Sequence, residues 1–224
     1  MSYLLRAKKI YKSFHTPEKV EILSGIDLDV YEQQSIAIMG RSGEGKTTLL
    51  HILGTLDHFD SGQLEWRGEI LPAASRALFK NKNIGFIFQS YNLLEDFTTL
   101  DNVLMPARIG RKPAAKDSAA YARGMELLHQ VGLQERAHFP ARLLSGGEKQ
   151  RAAIARALCN DPDLILADEP SGNLDHASAE AIHQLLLDAV RIRKKTLILV
   201  THEEKLAGLC DQKILLQRGR LTLL

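Results

Sequence analysis

The stretch Gly40-Arg41-Ser42-Gly43-Glu44-Gly45-Lys46-Thr47 decides the fold that this sequence predicts. It fits the pattern G-x-x-x-x-G-K-S/T, whose glycines let backbone N–H groups converge on the phosphates of a nucleotide. Lys46 is placed to reach the β and γ phosphates, and the hydroxyl of Thr47 can hold Mg²⁺. The apolar run Ser35–Met39 precedes the loop, and helical periodicity follows it. A phosphate-binding loop requires this order of strand, loop and helix, so we predict a nucleotide site here.

Short apolar runs elsewhere in the chain predict an α/β fold. Continuous runs of this kind are typical of strands in a parallel sheet that is covered on both faces. Upstream of the loop, the range Ile22 to Ile38 begins with alternating apolar and polar residues, which predicts antiparallel strands leading into the buried strand. The three further runs that indicate buried strands are Ile84–Phe88, Leu164–Ala167 and Thr196–Val200.

The segment from Tyr91 to Leu158 follows a different pattern. Its apolar residues recur at helical spacing, for example Met125, Leu128 and Val131 in one amphipathic helix. We therefore predict a helical insertion of roughly 70 residues in the α/β core. The sequence contains no repeats, low-complexity tracts or linkers, which indicates one compact unit with two lobes.

Two adjacent carboxylates follow the apolar run Leu164–Ala167. Asp168 is placed to hold Mg²⁺ through water, as the acidic partner of a phosphate loop does. Glu169 is the candidate general base, which orients the attacking water. Because side chains alternate along a strand, we expect the two carboxylates to point in opposite directions. An exposed acidic pair is the alternative, and the phosphate loop favours the interpretation as a hydrolytic site.

Gln89 and His202 each follow a predicted strand. In an open parallel sheet, ligands bind outside the carboxyl ends of the strands, so both residues fall at the predicted nucleotide edge. Gln89 could sense Mg²⁺ and the attacking water, and His202 could contact the γ-phosphate. Taken singly, each residue is more often an ordinary surface residue, and their occurrence at the same edge favours a function. The remaining histidines show no zinc-ligand spacing.

A second stretch, Leu144-Ser145-Gly146-Gly147-Glu148-Lys149-Gln150-Arg151, predicts another anion site. Ser145 with Glu148 three residues later is a capping box, so a helix begins here. Two glycines in the first turn leave backbone N–H groups uncovered, and the helix dipole adds partial positive charge. One nucleotide seldom needs two such sites, so the ligand of the second one requires an explanation.

The composition indicates a cytoplasmic globular protein. The chain has 224 residues, of which 45% are hydrophobic and 25% are charged, enough for a sizeable core. A net charge of +2 argues against a nucleic-acid partner, and two cysteines without metal-ligand spacing suit a reducing compartment. The N-terminus lacks a signal-peptide pattern and no apolar run could span a membrane, so any membrane role must come through a partner. The basic run Arg191–Lys195 is interpreted as a helix end and a solvated loop rather than a binding patch.

These motifs, in this order, resemble those of the ATPase subunit of ABC transporters. The resemblance covers nearly the whole chain, and its strength lies in the combination of motifs. The matching segments are Gly40–Thr47 (Walker A), Gln89 (Q-loop), Leu144–Gln150 (signature motif), Leu164–Glu169 (Walker B with its catalytic glutamate), Ser171–Asp175 (D-loop) and His202 (switch histidine).

The resemblance implies a fold and a set of site residues. The fold would be a P-loop NTPase (RecA-like) core with an N-terminal antiparallel β-subdomain, residues 1–90 and 159–224, and an inserted α-helical signature subdomain, residues 91–158. The cofactors would be ATP and Mg²⁺. The implied residues are Glu169, His202 and Gln89 for catalysis; Thr47, Gln89 and Asp168 for Mg²⁺; Tyr11 (stacking on adenine), Gly40, Arg41, Ser42, Gly43, Glu44, Gly45, Lys46, Thr47 and Thr48 for ATP; Ser145, Gly146, Gly147 and Glu148 for the ATP of a partner copy; and Asp175 in the D-loop.

The resemblance also supplies an explanation for the second anion site. In ABC ATPases, two copies pack head to tail around two ATP molecules. Ser145, Gly146 and Gly147 of one copy would then contact the γ-phosphate that is bound to Lys46 of the other copy. We therefore expect the chain to work as a pair and to be poorly active alone.

Narrower features resemble one group within the family. The Gly172-Asn173 insertion in the D-loop and the run Leu49–Asp57 are similar to the mechanotransmission group, which includes lipoprotein-release, macrolide-export and cell-division ATPases. Within that group, Asn92–Val103 and Met105-Pro106 most resemble the lipoprotein-release ATPases. The resemblance implies separate integral membrane permease subunits, similar to LolC and LolE, and a peripheral position on the cytoplasmic face of the bacterial inner membrane.

Three alternatives to lipoprotein release stay open at this point. MacB-type exporters of macrolides or peptides share most of the stretch that carries the resemblance. An FtsE-type ATPase that controls cell division is the second alternative. A soluble regulatory ATPase of DNA repair or translation is the rival from another class. Such ATPases carry long coiled-coil insertions or two cassettes in one chain, and this sequence has neither.

Glu44 departs from the family pattern, which usually has a small residue at that position. A carboxylate beside a triphosphate should be repelled, so either Glu44 points away or a cation such as Arg41 offsets its charge. Our hypothesis from the sequence is that Glu44 faces the gap between two copies and weakens nucleotide binding in the monomer.

Overall fold

The computed structural model describes residues 3–15, 18–71 and 76–224. The predicted domain, residues 1–224, also includes residues 1, 2, 16, 17 and 72–75, which lie outside the described residues. The strands are β1 (Tyr3–His15), β2 (Lys19–Tyr31), β3 (Ser35–Met39), β4 (Ser61–Trp66), β5 (Glu69–Ile70), β6 (Ile84–Ile87), β7 (Leu164–Asp168), β8 (Thr196–Val200), β9 (Gln212–Gln217) and β10 (Arg220–Leu223). The α-helices are α1 (Lys46–Leu53), α2 (Arg76–Asn83), α3 (Thr99–Ile109), α4 (Ala119–Gln130), α5 (Gly146–Leu158), α6 (His176–Arg191) and α7 (Glu204–Ala207).

The central sheet has six strands in the order β10-β9-β3-β8-β7-β6. Its strands run parallel except β10, which forms an antiparallel hairpin with β9. Because side chains alternate along a strand, β3 contributes to two cores. Ile36 and Ile38 pack with α1 and the N-terminal sheet, whereas Ala37 and Met39 pack with residues of α3, α4, α5 and α6. Burial on both faces explains why β3, β7 and β8, at the centre of this sheet, are nearly continuous apolar runs in the sequence.

A second sheet is antiparallel and covers the α1 side of the central sheet. Its strands lie in the order β2-β1-β4-β5. Apolar residues of β1 and β2, such as Ile10 and Leu23, are buried with those of α1. The alternation that begins at Ile22 therefore lies in an antiparallel strand, as predicted.

The predicted strands of the central sheet are confirmed, with two differences at their ends. Thr196–Val200 matches β8 as predicted, whereas β6 ends before Phe88 and β7 extends to Asp168. β6 lies at the edge of the sheet, and its pairing with β7 ends at Ile87. Asp168 remains in the strand because it is still paired with Val200 of β8.

The segment Tyr91–Leu158 is helical, as the periodicity predicts. It contains α3, α4 and α5 together with two short 3₁₀ helices, Gln134–Arg136 and Ala141–Leu143. Leu128 and Val131 are buried in the core between these helices. Within the described ranges, no helix combines the length and the apolar character that a membrane span requires.

Candidate functional site

A cleft of about 590 Å³ lies at the carboxyl ends of the parallel strands. Because β3, β6, β7 and β8 run in the same direction, the residues that follow them meet at one edge of the sheet. The three predicted catalytic residues line this cleft together with every predicted ATP-binding residue except Tyr11 and Glu44. The lining residues are Phe14, Ile22, Gly40, Arg41, Ser42, Gly43, Gly45, Lys46, Thr47, Thr48, Gln89, Glu169, Val200 and His202.

The phosphate loop is shaped by a glycine and by its own lysine. Gly45 has a φ of +92°, in the left-handed region that favours glycine, and a Cβ at this position would lie 2.4 Å from the side chain of Ile22. The Lys46 ammonium donates to the carbonyl oxygens of Gly40 and Arg41, at 2.9 and 3.0 Å. These bonds hold the cation across the loop, next to backbone N–H groups that can bind phosphate.

Oxygen ligands suitable for Mg²⁺ lie beside the phosphate loop. The Thr47 hydroxyl donates to the Asp168 carboxylate at 3.1 Å, and the Gln89 side chain lines the same cleft. Burial raises the pKa of Asp168, and the hydrogen bond from Thr47 opposes this shift. Hydroxyl, carboxylate and amide oxygens are the hard ligands that Mg²⁺ prefers, so this set of residues fits the ion.

Glu169 and His202 form a pair at the opening of the cleft. The Glu169 carboxylate lies 2.9 Å from His202 Nδ1. The backbone of Glu169 has a φ of +42°, which non-glycine residues rarely adopt, and its N–H donates to the carbonyl oxygen of Val200. The alternation along β7 therefore ends at Asp168 and does not set the direction of Glu169. Glu169 lines the cleft directly, and Asp168 is connected to it because its carboxylate accepts a hydrogen bond from Thr47, which lines the cleft.

The structure places Phe14, and not Tyr11, in the cleft. The Tyr11 ring lies over Gly25 of β2, where its hydroxyl is 2.8 Å from the position of a Cβ on that glycine. Phe14 is 46% exposed, and Lys12 Nζ lies 5.1 Å from the centroid of its ring. The sequence offers two aromatic residues three positions apart, and only the fold shows which of them lies beside the phosphate loop.

Glu44 turns away from the cleft towards the β9–β10 hairpin. Its carboxylate accepts a hydrogen bond of 2.6 Å from the backbone N–H of Arg218. The next residue of this turn, Gly219, accepts a hydrogen bond from the N–H of Ser24 in β2. Of the two alternatives that the sequence left open, the structure favours a carboxylate that points away over one that is offset by Arg41.

The N-terminus of α5 is capped as the sequence predicts, and it lies outside the cleft. The Ser145 hydroxyl accepts from the Glu148 N–H, and the Glu148 carboxylate accepts from the Ser145 N–H at 2.8 Å. This backbone hydrogen bond from Ser145 is the main cause of the lowered pKa of Glu148. Ser145, Gly146, Gly147 and Glu148 do not line the cleft that holds Lys46. The fold therefore keeps the two predicted anion sites of one chain apart.

The predicted D-loop leads from the cleft to the start of α6. Asp175 caps this helix by accepting hydrogen bonds from the N–H and the hydroxyl of Ser178, and the hydroxyl bond is the main cause of its lowered pKa. The Asn173 side chain donates to the carbonyl oxygen of Gln89, at 3.4 Å. The D-loop and the predicted Q-loop are thus in contact.

Two polar residues of α5, to which the sequence analysis gave no role of their own, connect this helix to the loops that follow Gln89 and Glu169. Arg156 donates to the carbonyl oxygens of Tyr91 and Asn92, whose φ values of +61° and +50° are left-handed. Burial lowers the pKa of Arg156 to about 10. The side chain of Gln150 donates to the carbonyl oxygen of Pro170, just after Glu169, at 2.7 Å. For Arg156, the signal in the sequence is a long charged side chain between two alanines of a helix, whereas Gln150 lies among charged residues.

Known proteins resemble the chain in both sequence and structure. A family model described as ABC transporter matches residues 23–172. The relative named lipoprotein-releasing system ATP-binding protein LolD from Protochlamydia amoebophila is 55% identical, and the match covers 97% of this chain and 96% of the relative. The protein of the same name from Cytophaga hutchinsonii is 46% identical, with coverage of 98% and 99%.

A solved structure of the ATP-binding cassette MJ0796, dimeric and bound to ADP and Pi, has a TM-score of 0.89 to this chain at 33% identity. The likeness covers 97% of this chain and 96% of that one. A second dimeric structure of MJ0796, described as a bacterial ABC transporter cassette, has the same TM-score at 34% identity. These likenesses confirm the predicted fold class, and with the family match they show that the chain belongs to the ABC transporter family.

Proposed function

We propose that this chain is the ATP-hydrolysing subunit of a transporter that releases lipoproteins from the bacterial inner membrane. The observation that carries the proposal is the cleft, which joins a phosphate loop, the Thr47–Asp168 pair and the Glu169–His202 pair in one chain. The relatives from Protochlamydia amoebophila and Cytophaga hutchinsonii, both named as LolD of a lipoprotein-releasing system, support the choice of cargo.

The residues of the cleft divide the work of ATP hydrolysis among them. Lys46 and the N–H groups of its loop bind the phosphates, and Phe14 is the aromatic side chain placed to stack on the nucleobase. Thr47, Asp168 and Gln89 would hold Mg²⁺, which supplies charge neutralisation on the transferred phosphoryl group when bound.

The Glu169–His202 pair is placed to handle the attacking water. Glu169 is the proposed general base, because its carboxylate lines the cleft and can orient a water molecule and accept its proton. His202 lies 2.9 Å from that carboxylate and holds it in place. The left-handed backbone at Glu169 is a local strain of the kind that concentrates at functional sites.

A second copy of the chain would complete each site. The capped N-terminus of α5 presents Ser145, Gly146 and Gly147 outside the cleft of its own chain. Head-to-tail pairing would bring these residues to the γ-phosphate on Lys46 of the other copy, with Asp175 at the contact between the copies. The dimeric forms of the MJ0796 cassette support such pairing.

The helical lobe would transmit the motion to membrane subunits. In the proposed division, residues 1–90 and 159–224 form the core with its β-subdomain, and residues 91–158 form the lobe. Leu94 and Phe97 of this lobe are 46% and 45% exposed, close to Gln89 in the chain. They would dock on integral membrane permease subunits of the LolC and LolE type, which places the chain peripherally on the cytoplasmic face of the inner membrane.

A reconstituted complex tests this proposal. The chain would be co-expressed with candidate membrane subunits of the LolC and LolE type, and the complex would be placed in proteoliposomes that carry a lipid-anchored protein. We expect ATP to release that protein from the vesicles, and the Glu169→Gln complex, a matched control that keeps the fold, to release none. Hydrolysis without any release, or export of a macrolide or peptide instead, would overturn the assignment of the cargo.

A further inference from the structure

His183 is a buried polar residue on the inner face of α6, in a stretch that otherwise buries apolar side chains. It is 4% exposed, and its buried neighbours along the helix include Ile182 and Leu186. Burying an imidazole carries a desolvation cost that an apolar residue would avoid. The contacts that offset this cost lead from α6 to the loops of the cleft.

The imidazole contacts one residue on each of two loops. His183 Nε2 lies 3.0 Å from the Ser171 hydroxyl and 3.3 Å from the carboxylate of Glu203. Ser171 and Glu203 are also bonded to each other, since the hydroxyl donates to that carboxylate at 2.9 Å. The three side chains form a closed cluster, which we name the His183 cluster.

The hydrogen bonds of the cluster fix its protons. Ser171 has a single hydroxyl proton, which it gives to Glu203, so its oxygen can only accept from His183. His183 Nδ1 has no hydrogen-bond partner among the residues that the structure describes. The ring proton therefore lies on Nε2, from which it is donated to Ser171, with the Glu203 carboxylate 3.3 Å from the same nitrogen. Burial also lowers the pKa of His183, which keeps the ring neutral.

The two loops that meet at the cluster carry the groups that surround ATP. Ser171 follows Glu169 by two residues and begins the D-loop that leads to Asp175. Glu203 comes directly after His202, and its backbone N–H donates to the Thr201 hydroxyl at 3.0 Å. The contacts thus form a continuous path from the D-loop at Ser171 through Glu203 to the Glu169–His202 pair.

We propose that His183 is a positioning residue that locks the D-loop to the loop that carries His202, so that docking of a second copy at the D-loop acts on the Glu169–His202 pair. The inference rests on the proposed pairing of two copies. Phe would fill the space at position 183 without a donor, whereas Gln can donate an N–H close to the position of Nε2. The polar contact can therefore be tested separately from the packing.

The experiment compares His183→Phe with His183→Gln in the full chain. We expect the Phe variant to lose kcat for ATP by roughly tenfold with an unchanged KM, the scale of one lost hydrogen bond in the transition state. The Gln variant should keep most of the wild-type kcat. Ser171→Ala removes the same link from the other side and should lose kcat to a similar extent, and the double variant His183→Phe/Ser171→Ala should lose no more than either single one.

Three results would overturn the proposal. The first is an unchanged kcat in the Phe variant. The second is an equal loss of kcat in the Phe and Gln variants, in proportion to the fall of their Tm. The third is a loss of kcat in the double variant that equals the sum of the two single losses, expressed as free energies. Failure of the pairing itself is recognised separately, because the specific activity of the wild type would then not depend on the protein concentration. The difference in kcat between the Phe and Gln variants is measured in the same assay and tests the role of His183.

Discussion

The phosphate-loop cleft and the N-terminus of α5 are both predicted anion sites, and they differ in where their partners come from. In the cleft, Lys46 donates to carbonyl oxygens of its own loop and Thr47 donates to Asp168, all within one chain. At the N-terminus of α5, Ser145 and Glu148 cap each other, Glu148 also pairs with Arg136 at 3.6 Å, and the first turn does not line that cleft. One chain thus holds a cleft with its own polar contacts and, apart from it, a capped helix start, which in our proposal serves the cleft of another copy.

Glu169→Gln tests the chemistry of the phosphate-loop cleft and has the largest expected effect. Loss of the carboxylate should reduce kcat by about 10³-fold, within the range of general-base catalysis. ATP should still bind, because the phosphate loop is intact, and a stable ATP-bound dimer should accumulate. Single-turnover hydrolysis with size-exclusion chromatography measures both. Brisk turnover by this variant would remove Glu169 from the role of base.

Mixing two inactive variants tests whether the phosphate-loop cleft of one copy is completed by the N-terminus of α5 from another copy. Lys46→Ala should weaken ATP binding by roughly 100-fold through the loss of a charged phosphate contact. Ser145→Arg should bind ATP normally yet block closure of the pair. An equal mixture should recover roughly a quarter of the wild-type rate, since half of the random pairs hold one intact site.

The control for this mixture is the chain Lys46→Ala/Ser145→Arg combined with wild type. Its mixed pairs also hold one intact loop, but that loop faces a substituted signature residue. No activity from these pairs is expected, so the mixture should keep only about a quarter of the wild-type rate, which its wild-type pairs supply, whereas a complete site in each chain would keep about half. If mixing the two single variants restored no ATP hydrolysis, each chain would hold a complete site. The N-terminus of α5 would then not contribute to the cleft of another copy.

Phe14→Ala should weaken ATP binding by roughly tenfold, since stacking of a base on an aromatic ring contributes about 1–3 kcal/mol. Tyr11→Ala is the matched control, because the Tyr11 ring lies over Gly25 and not in the cleft. Isothermal titration with ATP and with inorganic triphosphate separates the base contact from the phosphate contacts. A larger loss in Tyr11→Ala than in Phe14→Ala would restore Tyr11 to the adenine site.

The sequence predicts the parts of the molecule that depend on local pattern and chain direction. The buried strands, the phosphate loop and the capping box at Ser145 each follow from periodicity or from spacing within a few residues. The position of Phe14 and the contacts of His183 depend on which strands and helices pack together, and no local pattern specifies them. The partner of Glu44 is a further case, because Arg218 lies far away in the chain.

Glu44→Ser tests that last contact and has the smallest expected effect. The variant loses the hydrogen bond to the Arg218 N–H, so the free energy of unfolding should fall by about 1 kcal/mol, as measured by urea denaturation. Glu44→Gln keeps an acceptor and should lose less. Because the carboxylate points to the hairpin, the Kd for ATP should change by less than about threefold in either variant. A tenfold tighter ATP complex in both variants would show instead that the Glu44 charge acts on the triphosphate, as the sequence alone suggests.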